Sequence, residues 1–109
     1  MPSDKHITNK ANTHAKELEV LLTTVLQSPG VTDQATRQAA YEGNVLPSLL
    51  GEYVAKVRGQ SYRITDNDIE GLRSAGYSED AIFELTVAAA LGAAKRLLDA
   101  GLHALEEAS

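Results

Sequence analysis

Residues 78–107 read SEDAIFELTVAAALGAAKRLLDAGLHALEE, a run with no proline in it. Ser78 can accept from the free N–H groups of a first helical turn, and Glu79 and Asp80 suit its positive end. Phe83, Val87, Leu91, Ala94, Leu98, Leu102 and Leu105 then recur at helical spacing. Ile82, Leu85, Ala89 and Gly92 make a second stripe beside the first. The pattern predicts one helix reaching about 29 residues, apolar on two adjacent faces. Such a helix is central to a core or shared with another subunit. Lys95, Asp99, His103 and Glu106 fall on its opposite face, which is expected to be solvated.

Working back from that helix, punctuation divides the chain into four more. Ala15, Leu18, Leu21 or Leu22, and Val25 form one stripe, capped at Asn12 or Thr13 and ended by Ser28-Pro29-Gly30. Thr32 or Asp33 caps a shorter helix to Glu42, stopped at Gly43-Asn44. Pro47 fits the first position of a third, where its missing N–H costs nothing. Leu49, Leu50, Tyr53, Val54 and Val57 supply its apolar face, and Gly59 closes it. After the link at 60–64, Thr65 caps a fourth helix with Asp66 and Asp68 in its first turn. Its buried side is expected from Ile69, Leu72 and the stem of Arg73, and Gly76 is its C-terminal glycine. No repeat, low-complexity tract or extended strand pattern interrupts this, so the fold class is all-α. A single domain over 12–107 is expected, after a flexible polar N-terminus at 1–11.

Composition restricts the chemistry. The 109 residues include no cysteine, which removes disulfides, thiol nucleophiles, thiolate metal sites and CxxC redox centres together. The net charge of −5 opposes general affinity for nucleic acid or anionic membranes. The opening MPSDKHITNKA lacks the apolar stretch of a secretory signal. The apolar run from Val87 to Ala94 is far short of the roughly 20 residues that span a bilayer. A cytoplasmic protein, with neither nucleic-acid nor membrane partners, is the expectation.

Three constellations invite functional readings. The helix–turn–helix around Ala75-Gly76-Tyr77-Ser78 would present Glu79, Asp80 and Glu84 to phosphates of like charge, which disfavours DNA. The pair His14 and Glu17, and the line of Asp99, His103 and Glu107, each put metal-type ligands on one helix face. Neither offers the three or four converging ligands of a metal site, and His6 stands alone, so no metal or cofactor is expected. The segment KVRGQSYR at 56–63 carries three cations and two hydroxyls ahead of Asp66 and Asp68. It could hold an anion between two helix ends, or simply set each charge against its own helix dipole. The latter accounts for it more simply.

The stretch ITDNDIEGLRSAGYSEDAIFEL at 64–85, followed by the Ala-rich TVAAALGAAKRLL at 86–98, resembles the carboxymuconolactone decarboxylase / alkylhydroperoxidase D-like family. There an active-site helix ends in an Ala-Gly-hydrophobe-Ser-acid turn before a long Ala-rich helix. The likeness covers residues 45–105. It implies a five-helix orthogonal bundle with a long C-terminal helix, assembled into a homo-oligomer. It also implies a CxxC pair near Ser61 and Ile64, a His near Asp68 and an upstream Glu nearest Glu52. The first three positions do not match, so the family's thiol relay is absent. Ser61 has no adjacent base to activate its weakly nucleophilic hydroxyl.

Two functions remain open on this reading. One is an oligomeric domain that binds a small molecule or serves assembly, with the candidate pocket drawn from Glu52, Tyr53, Ser61, Tyr62, Ile64 and Asp68. The other is a cysteine-free lyase like the decarboxylase branch, with Glu52, Tyr53, Tyr62 or Asp68 supplying acid–base chemistry. A third possibility is a redox partner protein that brings thiols in trans.

Overall fold

A computed structural model describes residues 16–108 and is built from helices. The caps proposed at Asn12 and Thr13, together with Ala15, His6 and His14, lie outside the described residues. α1 is helical over 16–27 and stops at the Ser28-Pro29-Gly30 break. α2 (Gln34–Glu42) begins under Asp33, whose carboxylate accepts the Thr36 N–H at 2.7 Å. It ends at Gly43, whose φ of 74° is left-handed backbone that a Cβ would strain.

α3 (Ser48–Gly59) starts one residue later than its sequence suggests. Pro47 is the N-cap, and its carbonyl accepts from Gly51 at 2.7 Å. A 3₁₀ turn, Ser61–Arg63, then leads to α4 (Asp66–Ser74). There a capping box forms between Thr65 and Asp68, each side chain meeting the other's backbone N–H. Gly76, at φ 103°, reverses the chain into α5 (Glu79–Ala108), where Ser78 Oγ accepts the Ala81 N–H. Gly59 is not such a reversal, since α3 runs through it and the cap is Gln60.

α5 is the element against which the rest is assembled. Its thirty residues make a rod of about 45 Å, and the molecule measures 57 × 29 × 21 Å. α2 packs on it most extensively, then α3, with α4 touching both. Leu50 of α3, Leu72 of α4 and Leu85 of α5 are the largest fully buried side chains. Each contributes about 1.5–3 kcal/mol by leaving water. Leu26, Ala40, Tyr53, Val54, Ile82, Ala88 and Ala89 complete the core around them.

Only one of the two apolar stripes on α5 is buried. Ala81, Ile82, Leu85, Ala88, Ala89 and Gly92 are buried, whereas on the other stripe Phe83 is 68% exposed, Leu98 is exposed, and Val87, Leu91, Leu102 and Leu105 are half-buried. The small residues explain the choice of face. Gly92 lies so close to the end of α2 that an added Cβ would sit 2.8 Å from the Tyr41 carbonyl carbon. The Ala/Gly run therefore serves close packing within the chain.

Three smaller expectations change. Arg73 does not lay its stem in the core but bridges Glu70 and Glu79 at the surface, because the α4–α5 turn brings those carboxylates to it. Leu49 is largely exposed, since α3 turns Leu50, Tyr53 and Val54 inward instead. Lys95 is not on a freely solvated face. Its side chain is 21% exposed, bonded to Asp99 at 2.5 Å and placed beside Tyr41 and Glu19 in a cleft between α1, α2 and α5. The Asp99 bond outweighs the burial and holds the Lys95 ammonium above its ordinary pKa.

Candidate functional site

The six residues singled out around the α3–α4 link differ in burial. Glu52 and Ser61 are exposed, and Tyr62 projects 82% exposed from the 3₁₀ turn. Tyr53 is buried, and its hydroxyl is shared with Thr86 Oγ1 at 2.6 Å. Thr86 in turn donates to the Ile82 carbonyl, so this pair ties α3 to α5. Ile64 packs against the core.

Asp68 combines its capping role with an ion pair to Lys56 at 2.8 Å. The Lys56 hydrogen bond and the Thr65 N–H hold its carboxyl below the ordinary range. Among the cations of 56–63, Lys56 is thus paired with an acid and Arg63 bonds Gln60. Arg58 reaches back to the C-terminal carbonyls of α2, at Ala40 and Tyr41. There its charge meets the negative end of that helix, in accord with the simpler reading of this segment.

A different group of polar side chains converges where the α1–α2 loop meets α5. Glu84 takes up the loop: its carboxylate accepts the Val31 N–H at 2.8 Å, the Thr32 N–H at 3.2 Å and the Thr32 hydroxyl at 2.8 Å. Gly30 leaves room for this approach: a Cβ there would come within 2.9 Å of the Glu84 carboxyl carbon, and the carboxylate would have to swing aside. Partial burial raises the Glu84 pKa, but the donors of Val31 and Thr32, with the nearby charge of Arg37, more than reverse it. Glu84 is thereby kept ionised below the usual carboxylate range.

Arg37, on α2, is 4% exposed and is the buried charge of the structure among the described residues. Its Nη1 donates to the Val25 carbonyl at 2.9 Å, while its Nε is buried without a partner. Both Arg37 and Glu84 line a cleft of about 320 Å³ whose walls include Val25, Pro29, Phe83 and Val87.

In the sequence Glu84 stands out only as an acid that would repel phosphate, and Arg37 only by its register. Arg37 stands three and four positions before Ala40 and Tyr41, at an inward register of α2. Glu84 stands between Ala81 and Ala88 in the same way on α5. A charge at a core register is the signal, and each residue has one. Their mutual proximity depends on the close packing of α2 on α5, which residue spacing within either helix does not encode.

Among the described residues no three His, Asp or Glu side chains are grouped to hold a metal, and no helix is long and apolar enough to cross a membrane. His103 instead pairs with Glu107 at 3.1 Å on the exposed end of α5. No family model matches the chain, and neither a curated protein nor a solved structure does.

Proposed function

We propose that this protein is a non-enzymatic helical assembly module that pairs with a second copy of itself through the outer face of α5. The observation that carries this reading is the exposure of Phe83 and Leu97 on one uncharged line. Phe83, Val87, Ala90, Ala94, Leu97, Gly101 and Ala104 follow one another at alternating steps of four and three. That is the 3.5-residue period of a helix–helix seam. The line runs for about 32 Å along the rod, and its small members allow a second backbone to approach closely. An antiparallel arrangement sets Glu79 and Asp80 of one copy away from the same acids of the other, and opposes the two helix dipoles.

The resemblance of 45–105 to the alkylhydroperoxidase D-like family supports the same reading, because those domains assemble through their helices. The missing thiol pair and the differing burial of Glu52, Tyr53, Ser61 and Tyr62 favour assembly over catalysis.

Sedimentation equilibrium at roughly 100 µM chain tests it, a concentration at which even a modest dimer forms. The wild type should sediment as a dimer or larger. Leu97→Glu should raise the dissociation constant at least tenfold, a change worth about 1.4 kcal/mol, with the helical circular dichroism unchanged. A wild-type chain that stays monomeric sinks the proposal.

A further inference from the structure

The cleft between the α1–α2 loop and α5 contains a feature that self-pairing does not use. Arg37 is buried at the level of a core leucine, yet no carboxylate lies within ion-pair distance of it among the described residues. One guanidinium nitrogen is held by the Val25 carbonyl and the Nε–H has no acceptor. A buried donor of this kind costs stability unless something accepts from it. Glu84, which lines the same cleft, is committed elsewhere: its oxygens already accept from Val31 and Thr32.

Of the other walls of the cleft, Val25, Pro29, Phe83 and Val87 carry no hydrogen-bonding side chain, and Ser28 adds a single hydroxyl beside Gly30. A space of about 320 Å³ lies at the small end of the range for ligand sites and suits a molecule of roughly ten heavy atoms. The Arg37 Nε is itself shut off from the open cleft, so a ligand reaches it only when a wall moves, and Phe83, mostly exposed, is the wall with room to turn. We propose that this cleft binds a small apolar monocarboxylate, whose oxygen accepts the Arg37 Nε–H and whose hydrocarbon lies against Val25, Phe83 and Val87.

Charge restricts the ligand further. The ionised Glu84 beside Arg37 leaves the site near neutrality, so a doubly charged anion such as phosphate meets repulsion that a single carboxylate largely avoids. An apolar body then supplies most of the affinity through burial, and the guanidinium supplies orientation. The cleft shares Phe83 and Val87 with the self-pairing line, but Arg37, which defines it, stands on α2 outside that line, so ligand binding is read separately from chain mass.

The test uses the full ¹⁵N-labelled chain and two probes that differ only at the head group, 4-phenylbutyrate and its primary amide. The acid should bind with a dissociation constant below about 1 mM and shift the Arg37 Nε–H signal. The amide should bind at least tenfold more weakly. Val25→Trp, which fills the cleft from α1 and leaves Arg37 in place, should lower affinity for the acid at least tenfold. The proposal is overturned if the Arg37 Nε–H signal does not move by about 10 mM acid, a concentration that saturates even millimolar sites. It is equally overturned if acid and amide bind alike. Both readings come from the wild type, so they stand even if the tryptophan variant fails to fold.

Discussion

Replacing Gly92 by alanine should unfold this protein more readily, although the same change elsewhere in α5 should do the reverse. In a helix interior, alanine is favoured over glycine by about 1 kcal/mol. At Gly92 the new methyl would lie 2.8 Å from the Tyr41 carbonyl carbon and 2.5 Å from Arg58 Nη1. It is about 1 Å inside the 3.5–4.0 Å at which carbon atoms normally rest. The obstacle is backbone, so α2 must move away from α5. Overpacking of this kind costs about 1–3 kcal/mol.

The same displacement breaks the hydrogen bond from Arg58 to the Tyr41 carbonyl, which involves a charged donor and is worth about 1.5–3 kcal/mol. After subtracting the propensity gain, the net loss is about 1.5–5 kcal/mol, or roughly 6–30 °C in Tm for a domain of this size. Gly101→Ala is the control, since nothing of its own chain lies within 4 Å of a Cβ there. It should gain up to about 1 kcal/mol. Because Gly101 is on the self-pairing line, both variants are titrated at about 1 µM chain, far below the concentration chosen for pairing. Urea titration followed by circular dichroism reads both variants. If Gly92→Ala is as stable as wild type, or moves with Gly101→Ala, the close packing of α2 on α5 is wrong.

Two further outcomes follow from the polar contacts. Glu84→Gln should cost about 1–2 kcal/mol at pH 7, as charge-assisted bonds to Val31 and Thr32 become neutral ones. Because the folded Glu84 pKa is depressed, its contribution is present above the unfolded carboxyl value and lost as pH falls through the folded one. Wild-type stability should therefore fall on acidification from pH 6 to 3, and the fall should be shallower in Glu84→Gln. The slope that remains belongs to Asp33 and Asp68, whose carboxyls are also held low. An unchanged acid limb in a urea-against-pH series would refute the role of Glu84. Thr65→Ala should remove one half of the α4 capping box and cost about 1 kcal/mol in the same titration; no change would mean that the Lys56–Asp68 pair alone holds the helix start.

The parts of the fold written in local chemistry were readable before any coordinates. Asp33, Thr65 and Ser78 cap helices where their short oxygen-bearing side chains predict, and Gly43 and Gly76 reverse the chain where no other residue does so without strain. What could not be read was which face of α5 turns inward. Both stripes are apolar, and hydrophobicity alone favours the one with Phe83 and Leu98. Contact with α2 instead selects the smaller side chains, because Gly92 and Ala88 admit a neighbouring backbone and Phe83 does not. The site was illegible for the same reason. Arg37 and Glu84 are 47 positions apart, and only the packing of α2 on α5 makes them neighbours. Around Ser61 and Tyr62, the chemistry suggested by residue type disperses because a 3₁₀ turn holds both outward.

The unequal burial along α5 has one more consequence. Its buried residues run from Ala81 to Gly92, and no described residue beyond Gly92 is buried. One continuous hydrogen-bond ladder thus spans two regimes of local stability. Turns up to Gly92 can open only when α2 and α3 separate from them, an event that approaches global unfolding. Turns after it are held by helix propagation, by side-chain pairs such as Lys95–Asp99 and by whatever packs on their half-buried leucines, so they can fray separately. A second copy laid along Leu97 and Ala104 would remove that freedom. Pairing and the ordering of the helix end would then be a single equilibrium, with the entropy of the free end as part of the cost of association.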